Sequence, residues 1–116
     1  MLRFVVLIHD YPALHWDFML EKEAVLRTWR LARSPDESGS IDVEPLADHR
    51  LAYLDYEGPV SGNRGSVRCF DRGEYALVEE TPHRIEVRLK GGVLTGRAVI
   101  ERNNSTEPGT FRFERE

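Results

Sequence analysis

From Leu14 to Glu21 the chain alternates without interruption. Leu14, Trp16, Phe18 and Leu20 fall on one side; His15, Asp17, Met19 and Glu21 fall on the other. A period of two is the pattern of a β-strand with one buried face. Comparable strand signals recur along the chain. Arg3–His9 is β-branched and apolar, and Val25–Ala32 centres on Trp29. Leu51–Tyr56 alternates weakly, and Ser66–Phe70 and Glu74–Glu79 flank an Asp-Arg-Gly that reads as a hairpin turn. Arg84–Lys90, Arg97–Arg102 and Thr110–Glu114 complete the series. The punctuation between them is Gly-, Pro- and Ser-rich: Arg33–Pro45 reads as a flexible loop, Gly58–Gly65 as a glycine-rich one. No window carries a helical period longer than about two turns. Eight or nine short strands at this spacing predict an all-β fold, a compact β-barrel of about eight strands with little helix. Closure suits so short a chain, because it removes exposed strand edges.

The 116 residues are expected to form one domain, 1–116. The longest apolar run, Phe4–Ile8, is too short to cross a membrane, and His9 and Asp10 follow it too soon for a signal peptide. Cys69 is the only cysteine, so no internal disulfide forms; a reducing, cytoplasmic setting without a membrane partner is expected. The net charge of −4 argues against nonspecific coating of nucleic acid. Of 16 basic residues only Lys22 and Lys90 are lysines. Arginine grips phosphate through a rigid fork, but GC-rich coding also favours it, so the count decides nothing.

The stretch Ile8–Phe18, IHDYPALHWDF, holds two of the four histidines. Alternation places His15 and Asp17 on one face, roughly 6.5–7 Å apart along the strand. A hairpin turning at Tyr11-Pro12 brings His9 beside His15. Two imidazoles and a carboxylate form a common three-ligand set for a divalent cation, with positions left for water and substrate. The same residues on the wet face of an amphipathic strand need no metal, and both readings stand at this point.

The segment RFVVLIHDYPALHWDFMLE resembles the opening of the 3′-phosphoesterase domain family of bacterial DNA ligase D, as a stand-alone, divergent member. Its pattern is an apolar strand, then His-Asp, four residues, His, one residue, Asp-Phe, one residue, Leu-Glu. VLRTWRLAR, DHRLAYLDYEG, GNRG and FDRGEY resemble later family segments in the same order. The resemblance implies a metal-dependent β-barrel that removes a 3′-terminal ribonucleoside or 3′-phosphate from DNA or RNA ends in repair. It implies manganese as the cofactor, although the same donors accept zinc and other transition metals. By position, His9, His15 and Asp17 match metal ligands. His49 matches a histidine that contacts the scissile phosphate, and Tyr53 a tyrosine near the site. The implied partners are nucleic-acid 3′ ends at a primer-template and a separately encoded ligase or polymerase.

Three positions depart from the pattern. The family has an arginine where this chain has Met19, and a glutamine and a lysine where it has Leu7 and Ile8. Losing a phosphate fork is not conservative. Arg33 matches a family lysine, whereas Arg30, Arg50 and Arg64 are extra; Arg33, Arg50 and Arg64 are the candidate phosphate-binding residues. Three functions therefore compete: an active phosphoesterase, a catalytically impaired relative that binds nucleic-acid ends or a repair partner, and a barrel whose metal serves another purpose.

Overall fold

A computed structural model describes all 116 residues. Nine strands run in chain order: β1 Leu2–His9, β2 His15–Lys22, β3 Val25–Leu31, β4 Ile41–Arg50, β5 Gly58–Pro59, β6 Ser66–Thr81, β7 Arg84–Gly91, β8 Thr95–Arg102 and β9 Gly109–Arg115. They form one antiparallel sheet in the order β1-β2-β3-β4-β9-β8-β7-β6-β5, and a further β1–β6 pairing closes the ring. Eight strands make the barrel wall; β5 is a short addition at the edge of β6. The all-β barrel expected from alternation is the architecture found. No helix is long and apolar enough to cross a membrane.

Inward-facing side chains form a cluster of 16 buried residues, among them Phe4, Val6, Phe18, Leu20, Trp29, Leu31, Ile85, Leu89, Ile100 and Phe111. Phe18 meets Phe111 edge-on at 5.3 Å between ring centres, a favoured aromatic geometry. A second cluster lies on the outside of β1 and β2. Val5, Leu7, Met19, Leu26, Leu54 and Val67 form it, with Leu51, Tyr53 and Val60 packed against them. The cover for this outer cluster comes from the segment between β4 and β6, including a 3-10 turn at Leu51–Leu54. Hence β1 and β2 are buried on both faces.

Four expectations need correction. Leu51–Tyr56 is not a strand: Leu51–Leu54 is a 3-10 turn that drives Leu54 into the outer cluster. Its weak alternation reflected one-sided burial over a single turn. Residues 41–45, assigned to a loop, begin β4, where Ile41 and Val43 enter the core and pair with Phe111 and Gly109. Asp-Arg-Gly at 71–73 is not a hairpin turn, because β6 passes through it unbroken from Ser66 to Thr81. A Cβ on Gly73 would lie 2.1 Å from the Lys90 carbonyl oxygen, so glycine is required there by close strand approach. The Asp71 carboxylate accepts from Gly92 N–H at 2.9 Å and Leu94 N–H at 2.7 Å, fixing the β7–β8 turn. Finally, Leu14 lies outside β2 and is 56% exposed, and His15 and Asp17 are buried, which goes against the wet-face alternative for them.

Candidate metal centre

The β1–β2 hairpin sets His9 directly opposite His15, and their rings lie 4.9 Å apart. Asp17 follows two residues along β2 on the same outer face and pairs with Leu7 across the strands. Candidate ligand atoms from His9, His15 and Asp17 all lie within 4.8 Å of one another. His9 Nδ1 is 3.6 Å from Asp17 Oδ2, and His15 Nε2 is 3.1 Å from Asp17 Oδ1. His15 and Asp17 are only 5% and 2% exposed, so water does not satisfy them freely.

The other ring nitrogens fix the chemistry of this cluster. His9 Nε2 donates to the Arg64 carbonyl at 2.9 Å, and His15 Nδ1 donates to the Ala13 carbonyl at 2.8 Å. A carbonyl oxygen only accepts, so each contacting nitrogen carries the proton. In the neutral rings the lone pairs therefore sit on His9 Nδ1 and His15 Nε2, the two atoms that face Asp17. Histidines that bind metals are oriented this way by backbone carbonyls. His15 Nε2 and Asp17 Oδ1 are both buried and lack an aligned hydrogen-bond partner. Burial works against the His15 imidazolium, but the neighbouring Asp17 carboxylate and Ala13 carbonyl outweigh it and hold the His15 pKa above its ordinary value. Two imidazole lone pairs converging on a buried carboxylate form a donor set that fits a divalent cation.

The glycine-rich loop holds His9 from behind. Asp10 accepts from Ser66 N–H at 2.8 Å and from the Ser66 hydroxyl at 3.3 Å. The backbone contact with Ser66 keeps the Asp10 carboxyl below its ordinary pKa. Gly65 has φ +72°, and a Cβ there would lie 2.2 Å from Asp10 Oδ1. Only glycine permits this approach, which places the Arg64 carbonyl on His9.

The cluster opens into a cleft of about 480 Å³ between the outer face of the barrel and residues 46–67. His49 and Tyr53 line its opposite wall. His49 Nδ1 donates to the Ala47 carbonyl at 2.9 Å, leaving Nε2 as its free nitrogen. The His49 and Tyr53 rings meet edge-on at 5.7 Å, as do Tyr53 and Tyr56.

The sequence profile of the DNA ligase D 3′-phosphoesterase domain matches residues 8–102, which include every residue of this cluster and both residues of the opposite wall. The chain belongs to that family. The multifunctional non-homologous end joining protein LigD of Pseudomonas aeruginosa is 31% identical over 114 residues, 90% of this chain and 14% of that protein. The LigD of Mycobacterium bovis and that of Mycobacterium tuberculosis are each 31% identical over 110 residues, 87% of this chain and 14% of those proteins. The chain thus spans about one seventh of the length of these LigD relatives.

Within this phosphoesterase-family domain the candidate cations divide. Arg50 and Arg64 line the cleft, but the Arg64 guanidinium turns back to Ser61, with Nε donating to the Ser61 carbonyl at 2.7 Å. Its backbone carbonyl, not its charge, reaches the cluster. Arg33 does not line the cleft: it bonds Glu37 and the Ser40 carbonyl within the β3–β4 loop. Met19 is 1% exposed and packs into the outer cluster at the cleft floor. Leu7 packs beside it. Sequence reading passed over Asp10, Ala13 and Gly65 as parts of the site. Asp10 and Gly65 had a signal, an Asp beside the first histidine and a Gly-rich loop. Ala13 had none, because it acts through its carbonyl.

Proposed function

We propose that this domain is a divalent-metal-dependent phosphoesterase that processes 3′ ends of nucleic acid in DNA repair, removing a 3′-phosphate or a 3′-terminal ribonucleoside. The observation that carries this reading is the pair of backbone-anchored histidines whose lone-pair nitrogens face Asp17. Family membership supplies the reaction class. His9, His15 and Asp17 would hold the cation, manganese for preference, and a cation so held supplies Lewis acidity toward a phosphate oxygen. The chain's own residues do the rest. The Ala13 and Arg64 carbonyls keep both imidazoles in the ligating tautomer. The outer apolar cluster excludes water from behind the carboxylate. His49 turns its free Nε2 toward the leaving oxygen, and Tyr53 braces its ring. The natural partners are primer-template ends and a separate ligase or polymerase, in the cytoplasm.

A second reading has one observation in its favour. Met19 is packed as core at the cleft floor, as expected of a relative that binds ends without hydrolysing them. Phosphate release from a 3′-phosphate primer-template, with and without manganese, separates the two. The enzyme reading expects manganese-dependent release that disappears in Asp17→Ala and falls sharply in His49→Ala. Binding without release in the wild type, with release gained in Met19→Arg, would replace it with the binding module.

A further inference from the structure

Strand register builds a row across the outer face of the sheet. Leu7 pairs with Asp17, Asp17 with Arg30, and Arg30 with Glu44. Directly paired residues in antiparallel strands project to the same face with Cα atoms about 4.5–5.5 Å apart. Arg30 therefore stands beside Asp17 on the side of the cleft, and it lines the cleft wall.

Its guanidinium is used on one side only. Nη1 donates to Glu44 Oε1 at 3.2 Å. Nε is buried and has no hydrogen-bond partner. A buried N–H without an acceptor is costly, and in native proteins it is uncommon outside sites awaiting a ligand or water. Nε and Nη2 form the lateral edge of the guanidinium, whose two parallel N–H groups match two oxygens of a phosphate or carboxylate. Glu44 engages the far nitrogen, and the covered Nε and the Nη2 have no protein partner. The other cleft arginines are placed differently: Arg64 is spent on Ser61, and Arg50 is an exposed rim residue.

We propose that Arg30 is the phosphate-gripping residue of this cleft, its Nε–Nη2 edge taking two oxygens of a terminal 3′-phosphate while Glu44 steadies Nη1. The proposal rests on the end-processing reading above for the identity of its anion. It assigns to β3 a charge that position 19 of β2, occupied by buried methionine, does not provide. Glu44 acquires a role with it, as the anchor that sets the direction of the fork.

The test measures binding of two fluorescent primer-templates to the manganese-loaded protein, one ending in a non-hydrolysable 3′-phosphonate and the other in a 3′-hydroxyl. Wild type is expected to prefer the phosphonate end by about tenfold or more, the range of a charge-assisted hydrogen-bonded contact. Arg30→Gln is expected to remove that preference, and Arg30→Lys to keep part of it, since lysine retains the charge without the fork. Manganese affinity, read by electron paramagnetic resonance, should not fall in Arg30→Gln, because removing a positive charge beside the ligands does not weaken a bound cation. Retention of the preference in Arg30→Gln, or its absence in wild type, would overturn the proposal. So would joint loss of end preference and manganese, which would make Arg30 a support for Asp17 instead. Phosphate release is followed in parallel. A wild type with Arg30-dependent preference but no release leaves the proposal standing and removes the catalytic reading. Release with equal kcat/KM in wild type and Arg30→Gln does the reverse.

Discussion

The two faces of the β1–β2 hairpin are both buried, yet they are built by opposite means. The inner face joins a cluster of 16 residues contributed by strands on all sides of the barrel. The outer face joins six, covered largely by a 3-10 turn and loop between β4 and β6. On the inner face the hairpin contributes Phe4, Val6, Phe18 and Leu20, and the one buried carboxylate beside them, Asp71, is paired with the Gly92 and Leu94 N–H groups. The outer face buries a carboxylate and an imidazole beside Met19 and Leu7. Ionisable groups are kept out of a core unless paired or ligated. The contrast separates what holds the barrel from what equips it: stability comes from within, and the proposed metal centre sits on the outside under a thin cover.

Substitutions on the two faces should therefore have different consequences. Phe18→Ala removes a fully buried ring from the inner cluster and is expected to cost about 3–5 kcal/mol in denaturant unfolding. The molecules that remain folded should bind manganese nearly as wild type does. Manganese binding that falls in step with stability would mean the faces are not separable. Leu54→Ala strikes the cover instead. We expect a smaller stability loss, about 2–3 kcal/mol, with faster hydrogen exchange over residues 51–65 and unchanged protection in β7 and β8. Uniform loss of protection would contradict the division.

Finer changes probe the outer face itself. Asp10→Ala frees Ser66 and the glycine-rich loop, so the Arg64 carbonyl no longer fixes the His9 ring. Manganese affinity should fall about tenfold, at the low end for loss of an outer-shell support. An unchanged affinity would show that His9 is oriented by the hairpin alone. The smallest effect belongs to an ordinary ion pair. Arg27 lies over the Trp29 ring and pairs with Glu80 at 2.8 Å. Hydrogen bonding to Arg27 holds the Glu80 pKa below its ordinary value against the opposing effect of burial. A depressed carboxylate pKa stabilises the fold above its unfolded value and loses that contribution as pH falls through the folded one. Glu80→Gln should cost about 0.5 kcal/mol at neutral pH, and the difference from wild type should shrink on acidification through the carboxylate range. A gap that widens on acidification would reverse the sign assigned here.

The same contrast explains what could be read from the sequence. Phe18 and Leu20 announce the inner face because a period of two persists across the hairpin. His9, His15 and Asp17 were legible as a group from spacing and resemblance. Their burial was not, because the cover over them has no period of its own: Leu54 is delivered by a single turn and Val60 by an irregular loop. The supports were the least legible part. Ala13 and Arg64 act through carbonyl oxygens, which any residue supplies. Arg30 could be placed beside Asp17 only once the β2–β3 register was known, whereas Arg33, the better match by pattern, turns into its own loop.

The most direct measurement is a manganese titration of wild type and Asp17→Ala, followed by electron paramagnetic resonance, with folding of both checked by circular dichroism. Wild type should bind a single manganese per chain, and Asp17→Ala should lose that binding by at least about a hundredfold while its barrel stays folded. Equal binding by the two proteins, or none by the wild type, would contradict a metal centre on the outer face.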